Sequence, residues 1–151
     1  MNIKLCIKKL GACAAIFNIC YNKAMKTILV DAIDGIVLKD GTLFQEMFEM
    51  LESFPNRKIV LTGANDEQFK KFNLHKVPYE IFTLKHDPEK FNPRYFELML
   101  DNYNLKSSQV VLFEHNPEAV KSAETAGIKT YHYNPIEKDL LGLKAFLESN
   151  L

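Results

Sequence analysis

Several residue types are scarce or absent in this 151-residue chain. Tryptophan is missing, and the only three cysteines, Cys6, Cys13 and Cys20, lie near the start. Residues 25–151 therefore have no disulfide framework, which indicates a reducing, cytoplasmic setting. Basic and acidic residues balance at 19 each, so no overall positive field favours nucleic acid or an anionic membrane as a partner. The hydrophobic fraction of 47% is typical of one folded domain.

Common catalytic motifs are also absent. The sequence contains no GxGxxG, no GxxxxGK[ST], no HExxH, no CxxC and no GxSxG. The sequence therefore carries none of the motifs that usually indicate a dinucleotide-binding protein, a P-loop NTPase, a zinc protease or a serine hydrolase.

The first 24 residues differ from the rest in charge and composition. Residues 10–21 form an apolar run behind a basic start, which outlines a secretion signal but is too short to span a membrane. A short amphipathic helix, or a stretch upstream of the real start at Met25, are the alternatives. We favour the last, because Met25 leads directly into a strand-like run. Four of the 19 basic residues precede Met25, so 15 basic residues face 19 acidic ones in residues 25–151, a net charge of −4.

Residues 25–151 alternate short β-type runs with longer helical patterns. Strands are predicted at residues 27–33, 58–62, 79–84, 109–113 and 129–133, and helices at 42–54, 66–72, 93–103, 117–126 and 136–147. Such alternation predicts an α/β fold, a doubly wound (Rossmann-like) parallel five-stranded sheet with helices on both faces. The short connections leave no space for a cap domain.

Polar side chains follow three of the predicted strands, where the ligand crevice of a doubly wound sheet lies. They are Asp31, Asp34 and Gly35 after the first, Thr62, Gly63 and Asn65 after the second, and Glu114, His115 and Asn116 after the fourth, with Lys90 ahead of the third long helix. Carboxylates, a hydroxyl and a lysine at one edge are the groups that hold Mg²⁺ against a phosphate.

Each candidate also has an ordinary structural interpretation. Asp34 followed by glycine is a common turn pair, and Thr62 can simply end a strand. Lys90 can be a solvated surface lysine, and Lys85 competes with it for the same role. His115 can be a turn residue that binds nothing.

The order of these motifs resembles that of the haloacid dehalogenase superfamily, most of whose members are Mg²⁺-dependent phosphatases with an aspartate nucleophile. Residues 28–35 resemble its first motif, residues 60–62 its second, and the lysine of KFNPRYFELML its third. The stretch VVLFEHNPEAVKSAETAGIKTYHY, residues 110–133, is similar to its fourth motif with the following helix and strand. The resemblance implies the same fold without a cap domain.

The resemblance also implies a function, a Mg²⁺-dependent phosphohydrolase. Asp31 would be the nucleophile and a metal ligand, Asp34 the general acid/base and a metal ligand, Glu114 a further metal ligand, and Thr62, Gly63 and Lys90 the phosphate-binding residues. An open, capless site suits a large phosphorylated substrate, whose identity the sequence does not give, and the oligomeric state stays open. No nucleic acid or membrane partner is expected.

A departure from the first motif of the family supports a rival hypothesis. The first motif of the family reads Asp-x-Asp-Gly, and aligning Asp34 with its second half leaves Ala32 in the nucleophile position. If Asp31 is the nucleophile instead, strand alternation points it and Asp34 to opposite faces unless a bulge intervenes. The alternative is therefore a catalytically degenerate binding or regulatory module.

Overall fold

Five parallel strands form one sheet in the computed structural model, which describes residues 25–151. In chain order the elements are β1 (Thr27–Asp31), α1 (Gln45–Glu52), β2 (Lys58–Thr62), α2 (Asp66–Lys71), β3 (Glu80–Thr83), α3 (Pro93–Asn102), β4 (Val110–Glu114), α4 (Pro117–Thr125), β5 (Lys129–His132) and α5 (Leu140–Asn150). Short 3₁₀ turns cover Leu74–Lys76 and Ser107–Gln109. The predicted extension, residues 1–24, lies outside the described residues.

The strand order is β3-β2-β1-β4-β5, so β1 lies in the centre. Asp31 pairs in register with Leu61 of β2, and Val30 with Phe113 of β4. The chain builds outward from β1 on one side and then on the other, which is the doubly wound topology. The predicted α/β class with five parallel strands is confirmed.

Helices cover both faces of the sheet because every central strand is apolar on both sides. One core contains Met47 and Leu51 of α1 with Leu143 and Leu147 of α5. The core on the opposite face is built largely from α3, whose buried residues are Tyr95, Phe96, Met99 and Leu100, together with Ala123 of α4. Among residues 25–151, no helix has the length and apolarity needed to cross a bilayer.

Asparagine caps begin three of the helices. The side chains of Asn65, Asn92 and Asn116 accept hydrogen bonds from the backbone N–H groups of the first turns of α2, α3 and α4. Proline occupies the first position of α3 and of α4, where its missing N–H is not needed. These helix starts agree with the sequence prediction.

Several element boundaries differ from the sequence prediction, and three of them have a cause in the hydrogen bonds or the backbone. β1 ends at Asp31 and not at residue 33, because the N–H of Ile36 donates to the carbonyl of Asp31 and the chain turns back there. α1 begins at Gln45, after extended backbone at Phe44. α5 begins at Leu140 because the Asp139 side chain caps it.

Candidate active site

The two central strands β1 and β4 each end in a buried carboxylate. Residues alternate between faces along a strand, and Leu29 and Leu112, two positions before these acids, face the α3 core. Asp31 and Glu114 therefore project to the same side of the sheet. Both are buried, with 2% of the Asp31 side chain and none of Glu114 exposed.

Lys90 bridges the two carboxylates. Its Nζ lies 2.6 Å from Asp31 Oδ1 and 2.5 Å from Glu114 Oε2. The segment carrying this lysine is fixed by its neighbours, because the hydroxyl of Ser122 donates to the carbonyl of Phe91 at 2.5 Å. In the first turn of α3, the buried Tyr95 hydroxyl contacts the carbonyl of Thr62 at 2.8 Å, so α3 is tied to the end of β2.

His115 adds a nitrogen donor to this cluster. Its Nδ1 lies within hydrogen-bond distance of Asp31 Oδ2 and 3.3 Å from Glu114 Oε1. The carbonyl of His115 contacts Nε2 of His132 at 2.9 Å. We refer to Asp31, Lys90, Glu114 and His115 as the inner cluster. From the sequence, His115 was a candidate without an assigned role; its position directly after the acid that ends β4 was the signal available.

The electrostatics of the inner cluster follow from burial and pairing. For Asp31, desolvation favours the neutral form, but the charge of Lys90 and the hydrogen bond from His115 outweigh it and lower the pKa to about 2. For Glu114, desolvation and then the nearby charge of Asp31 raise the pKa to about 7. The hydrogen bond to Asp31 raises the pKa of His115 above its ordinary 6.5.

The inner cluster forms the floor of an open cleft of about 280 Å³. Thr62 and Gly63, predicted to bind phosphate, also line it. The Thr62 hydroxyl oxygen accepts the N–H of Ala64 at 3.2 Å, and a hydroxyl that accepts still has its own hydrogen to donate. Phe72, Phe91 and Ile33 supply apolar surface to the cleft wall.

A second polar group, the outer trio, lines the cleft farther from the cluster. It consists of Gln68, His86 and Glu89. His86 Nδ1 lies 2.8 Å from Glu89 Oε1, and its Nε2 lies 2.5 Å from Gln68 Oε1. The side chains of His86 and Glu89 are each more than a third exposed.

Asp34 and Lys85, also candidates from the sequence, lie apart from the inner cluster. Asp34 has a left-handed backbone, with φ of 62°, and its carboxylate lies 3.5 Å from Nζ of Lys39. It is not among the residues that line the cleft, so its role as acid/base and metal ligand stays a prediction. Lys85 is exposed and pairs with Asp66 at 2.8 Å. Of the two lysines, Lys90 is the one that contacts Asp31 and Glu114.

The side of the inner cluster that does not contact Lys90 carries donor atoms of the kinds that bind divalent cations. Lys90 contacts Asp31 Oδ1 and Glu114 Oε2, which leaves Oδ2 and Oε1 facing His115 Nδ1. One donor atom from each of Asp31, Glu114 and His115 lies within 4.8 Å of the other two. Carboxylate oxygens are the usual protein ligands of Mg²⁺, whereas an imidazole nitrogen suits transition metals better.

Comparison with known proteins gives matches in structure only. No protein-family profile matches the sequence, and no curated protein matches it either. An uncharacterized protein from Corynebacterium glutamicum is similar in structure, with a TM-score of 0.56 at 12% identity, over 82% of this chain and 96% of that one.

Two further similar structures carry descriptive names. A conserved haloacid dehalogenase-like protein from Agrobacterium tumefaciens has a TM-score of 0.52 at 16% identity over 68% of this chain. A putative beta-phosphoglucomutase from Thermotoga maritima has a TM-score of 0.52 at 20% identity over 71% of this chain. The match spans 52% and 59% of these two proteins, respectively. At these identities the likeness concerns the fold, and the chain has the haloacid dehalogenase-like fold that its motifs predicted.

Proposed function

We propose that residues 25–151 form a metal-dependent phosphohydrolase that acts on a phosphate monoester, with Asp31 as nucleophile. The observation that carries the proposal is the bridge of Lys90 between Asp31 and Glu114 at the floor of an open cleft. A lysine between two buried carboxyl groups donates a hydrogen bond to each of them. It also places positive charge where a phosphate would enter the cleft.

The chemistry expected of Asp31 is attack on phosphorus. Its low pKa keeps the carboxylate ionised at neutral pH. One oxygen forms a bond to phosphorus while the bond to the leaving oxygen breaks, which gives an aspartyl phosphate and an alcohol whose oxygen takes a proton from solvent. Water then attacks phosphorus and loses a proton to solvent, and the bond between phosphorus and Asp31 breaks to release inorganic phosphate and restore the carboxylate. Lys90 offsets the charge of the phosphoryl oxygens, and the Thr62 hydroxyl and the Gly63 backbone bind them.

The metal predicted from the sequence is Mg²⁺, with Asp31, Asp34 and Glu114 as ligands, and we propose Asp31 and Glu114 as the ligands in the inner cluster. The oxygens of these two side chains that do not contact Lys90 both lie near Nδ1 of His115, which supports Asp31 and Glu114 as ligands. A bound divalent cation would neutralise charge on the phosphoryl group and orient it. Glu114 binds a cation only when ionised, so its raised pKa predicts weaker metal binding below about pH 7.

The first test is hydrolysis of an aryl phosphate by the full chain, with and without Mg²⁺, Mn²⁺ or Zn²⁺. Turnover is expected with a metal and is expected to fall to the background rate in Asp31→Asn. Because Asp31 is buried and ion-paired, this variant is also expected to lose some stability, so its folding is checked by circular dichroism.

A direct chemical readout does not depend on the stability of any variant. Wild-type protein is mixed with substrate, quenched in acid and digested, and the peptide that contains Asp31 is examined by mass spectrometry. A phosphate on Asp31 supports the proposal. Turnover with the phosphate on another residue, or no turnover with any of the three metals, contradicts it.

The rival function is a binding module without turnover. One observation favours it: both oxygens of Asp31 already have side-chain partners, Lys90 on one side and His115 on the other. In that case inorganic phosphate or a phosphorylated ligand should raise the melting temperature while no aryl phosphate is hydrolysed.

A further inference from the structure

The donor atoms of the inner cluster are divided between two sides. Lys90 contacts one oxygen of Asp31 and one of Glu114. The other two oxygens, Oδ2 and Oε1, face the Nδ1 atom of His115. Within residues 25–151, these three side chains are the group that could hold one metal ion together.

We propose that His115 is a metal ligand, and that the site therefore selects a transition-metal cation such as Mn²⁺, Co²⁺ or Zn²⁺ over Mg²⁺. This proposal rests on the metal of the proposed function and names the ligand that sets its identity. The donor set is two carboxylate oxygens and one imidazole nitrogen. Imidazole forms stronger bonds to these transition metals than to Mg²⁺, which prefers oxygen ligands and keeps several waters.

The charge of the site does not by itself distinguish these cations. Asp31 and an ionised Glu114 carry two negative charges, and Lys90 beside them carries one positive charge. A net charge of about −1 attracts Mg²⁺ and a transition-metal dication alike. The imidazole nitrogen is therefore the donor that discriminates between them.

His115 is held where a ligand must be. Its backbone N–H donates to Asp31 Oδ2 at 3.3 Å, and its carbonyl contacts His132 Nε2 at 2.9 Å. Glu114 Oε1 is oriented by the N–H of Asn116 at 2.9 Å. The imidazole is 30% exposed, so a cation can reach it from the cleft. The metal would take the place of the hydrogen between Nδ1 and the carboxylate.

The test measures binding without turnover. Metal-free full-length protein is titrated with ZnCl₂ and with MgCl₂ by calorimetry, for wild type, His115→Asp and His115→Gln. We expect wild type to bind Zn²⁺ at least ~100-fold more tightly than Mg²⁺. In His115→Asp, where a carboxylate replaces the imidazole, we expect this ratio to fall at least ~10-fold.

A matched control separates the site from general histidine binding. His75 is exposed and does not line the cleft, so His75→Gln should keep the wild-type ratio. Nitrogen-15 NMR of labelled histidine in wild type needs no variant, and Zn²⁺ should shift the Nδ1 signal of His115.

Three results would overturn the proposal. The first is the same ratio of Zn²⁺ affinity to Mg²⁺ affinity in wild type and in both His115 variants. The second is an Nδ1 signal of His115 that Zn²⁺ leaves unchanged, and the third is no binding of either metal. None of them decides the phosphohydrolase proposal, because phosphate on Asp31 is detected separately. Conversely, tight Zn²⁺ binding through His115 without any turnover would support the ligand assignment and contradict the function.

Discussion

The inner cluster and the outer trio line one cleft with similar residue types but in different surroundings. Both contain a carboxylate and a histidine in contact. In the inner cluster the carboxylates are almost fully buried, whereas His86 and Glu89 of the outer trio are each more than a third exposed. Desolvation raises the pKa of both carboxyls, but Lys90 and His115 outweigh it at Asp31, so the pKa of Asp31 is lowered whereas that of Glu114 is raised.

This difference in burial decides how much each group of charges affects stability. An exposed ion pair contributes little because water solvates and screens it. Buried charges are costly unless each one has a partner, so every member of the inner cluster depends on the others. Strongly shifted groups in a cleft are typical of functional sites.

The largest contrast is expected between Lys90 and Lys85. Lys90→Met should lower the free energy of unfolding by about 3–5 kcal/mol, because it leaves two buried carboxylates without their cation. It should also reduce metal-dependent turnover by about 10²–10³-fold. Urea denaturation and aryl phosphate hydrolysis measure the two effects.

Lys85→Met serves as the matched control. Lys85 is exposed, so its loss should change stability by less than about 0.5 kcal/mol and leave turnover close to wild type. Equal effects of the two substitutions would contradict the assignment of Lys90.

A pH titration of stability should reveal the inner cluster. The native state keeps the Glu114 proton up to about pH 7, whereas the unfolded chain loses it near the ordinary pKa of 4.5. Stability therefore falls as pH rises through this window. His115 changes stability in the same direction. Asp31 raises the pKa of His115, so the stabilisation by its protonated form is lost as pH rises through the pKa of the folded state.

The measurement is the melting temperature of metal-free protein between about pH 5 and pH 8. The melting temperature should decrease over this range, and Glu114→Gln should make the decrease smaller. Asp31 affects stability at acidic pH. Its ionised form stabilises the folded chain above pH 3.8, and this stabilisation is lost as pH falls towards 2. A melting temperature that rises from pH 5 to pH 8 in wild type would be inconsistent with a buried, raised Glu114.

Asp34→Asn should have a smaller effect than Asp31→Asn. Asp34 contacts Lys39 and does not line the cleft, so we expect turnover to fall less than about tenfold, against the 10²–10⁴-fold of a general acid/base. Steady-state kinetics of Asp34→Asn and Asp31→Asn measure the two losses of turnover. A loss above 10²-fold would return Asp34 to the acid/base role predicted from the sequence.

The smallest effect is expected in the outer trio. Glu89→Gln removes one charge of an exposed pair, so the free energy of unfolding should change by less than about 0.5 kcal/mol. Urea denaturation at low and high salt measures it. A change above 1 kcal/mol would show that the outer trio is coupled to the inner cluster.

Apolar runs and helix caps made most of the fold predictable. β2 was predicted with its observed bounds, because the run KIVLT ends abruptly at glycine. Asn92 and Asn116, each followed by proline, gave the starts of α3 and α4. The end of β1 was not predictable, because the turn at Asp31 depends on hydrogen bonds from Ile36 and Val37 and not on a local breaker.

The site was predictable in part. Strand order along the chain indicated that Asp31, Thr62 and Glu114 would share one edge, and all three line the cleft. The choice between Lys90 and Lys85 required the path of the loop before α3, which no local pattern encodes. The role of His115 required its ring direction, which depends on the conformation of the turn after β4.

The central place of β1 has a consequence for folding. Asp31 meets Lys90, 59 residues later in the chain, and His115, 84 residues later. When the ribosome has produced only β1 to β3, one edge of β1 still lacks β4, and Asp31 has none of its cluster partners. Contacts so distant in sequence form late, after much loop-closure entropy has been lost. The inner cluster is therefore assembled only after β4 has joined β1, and molecules synthesised only as far as β3 carry no premature site.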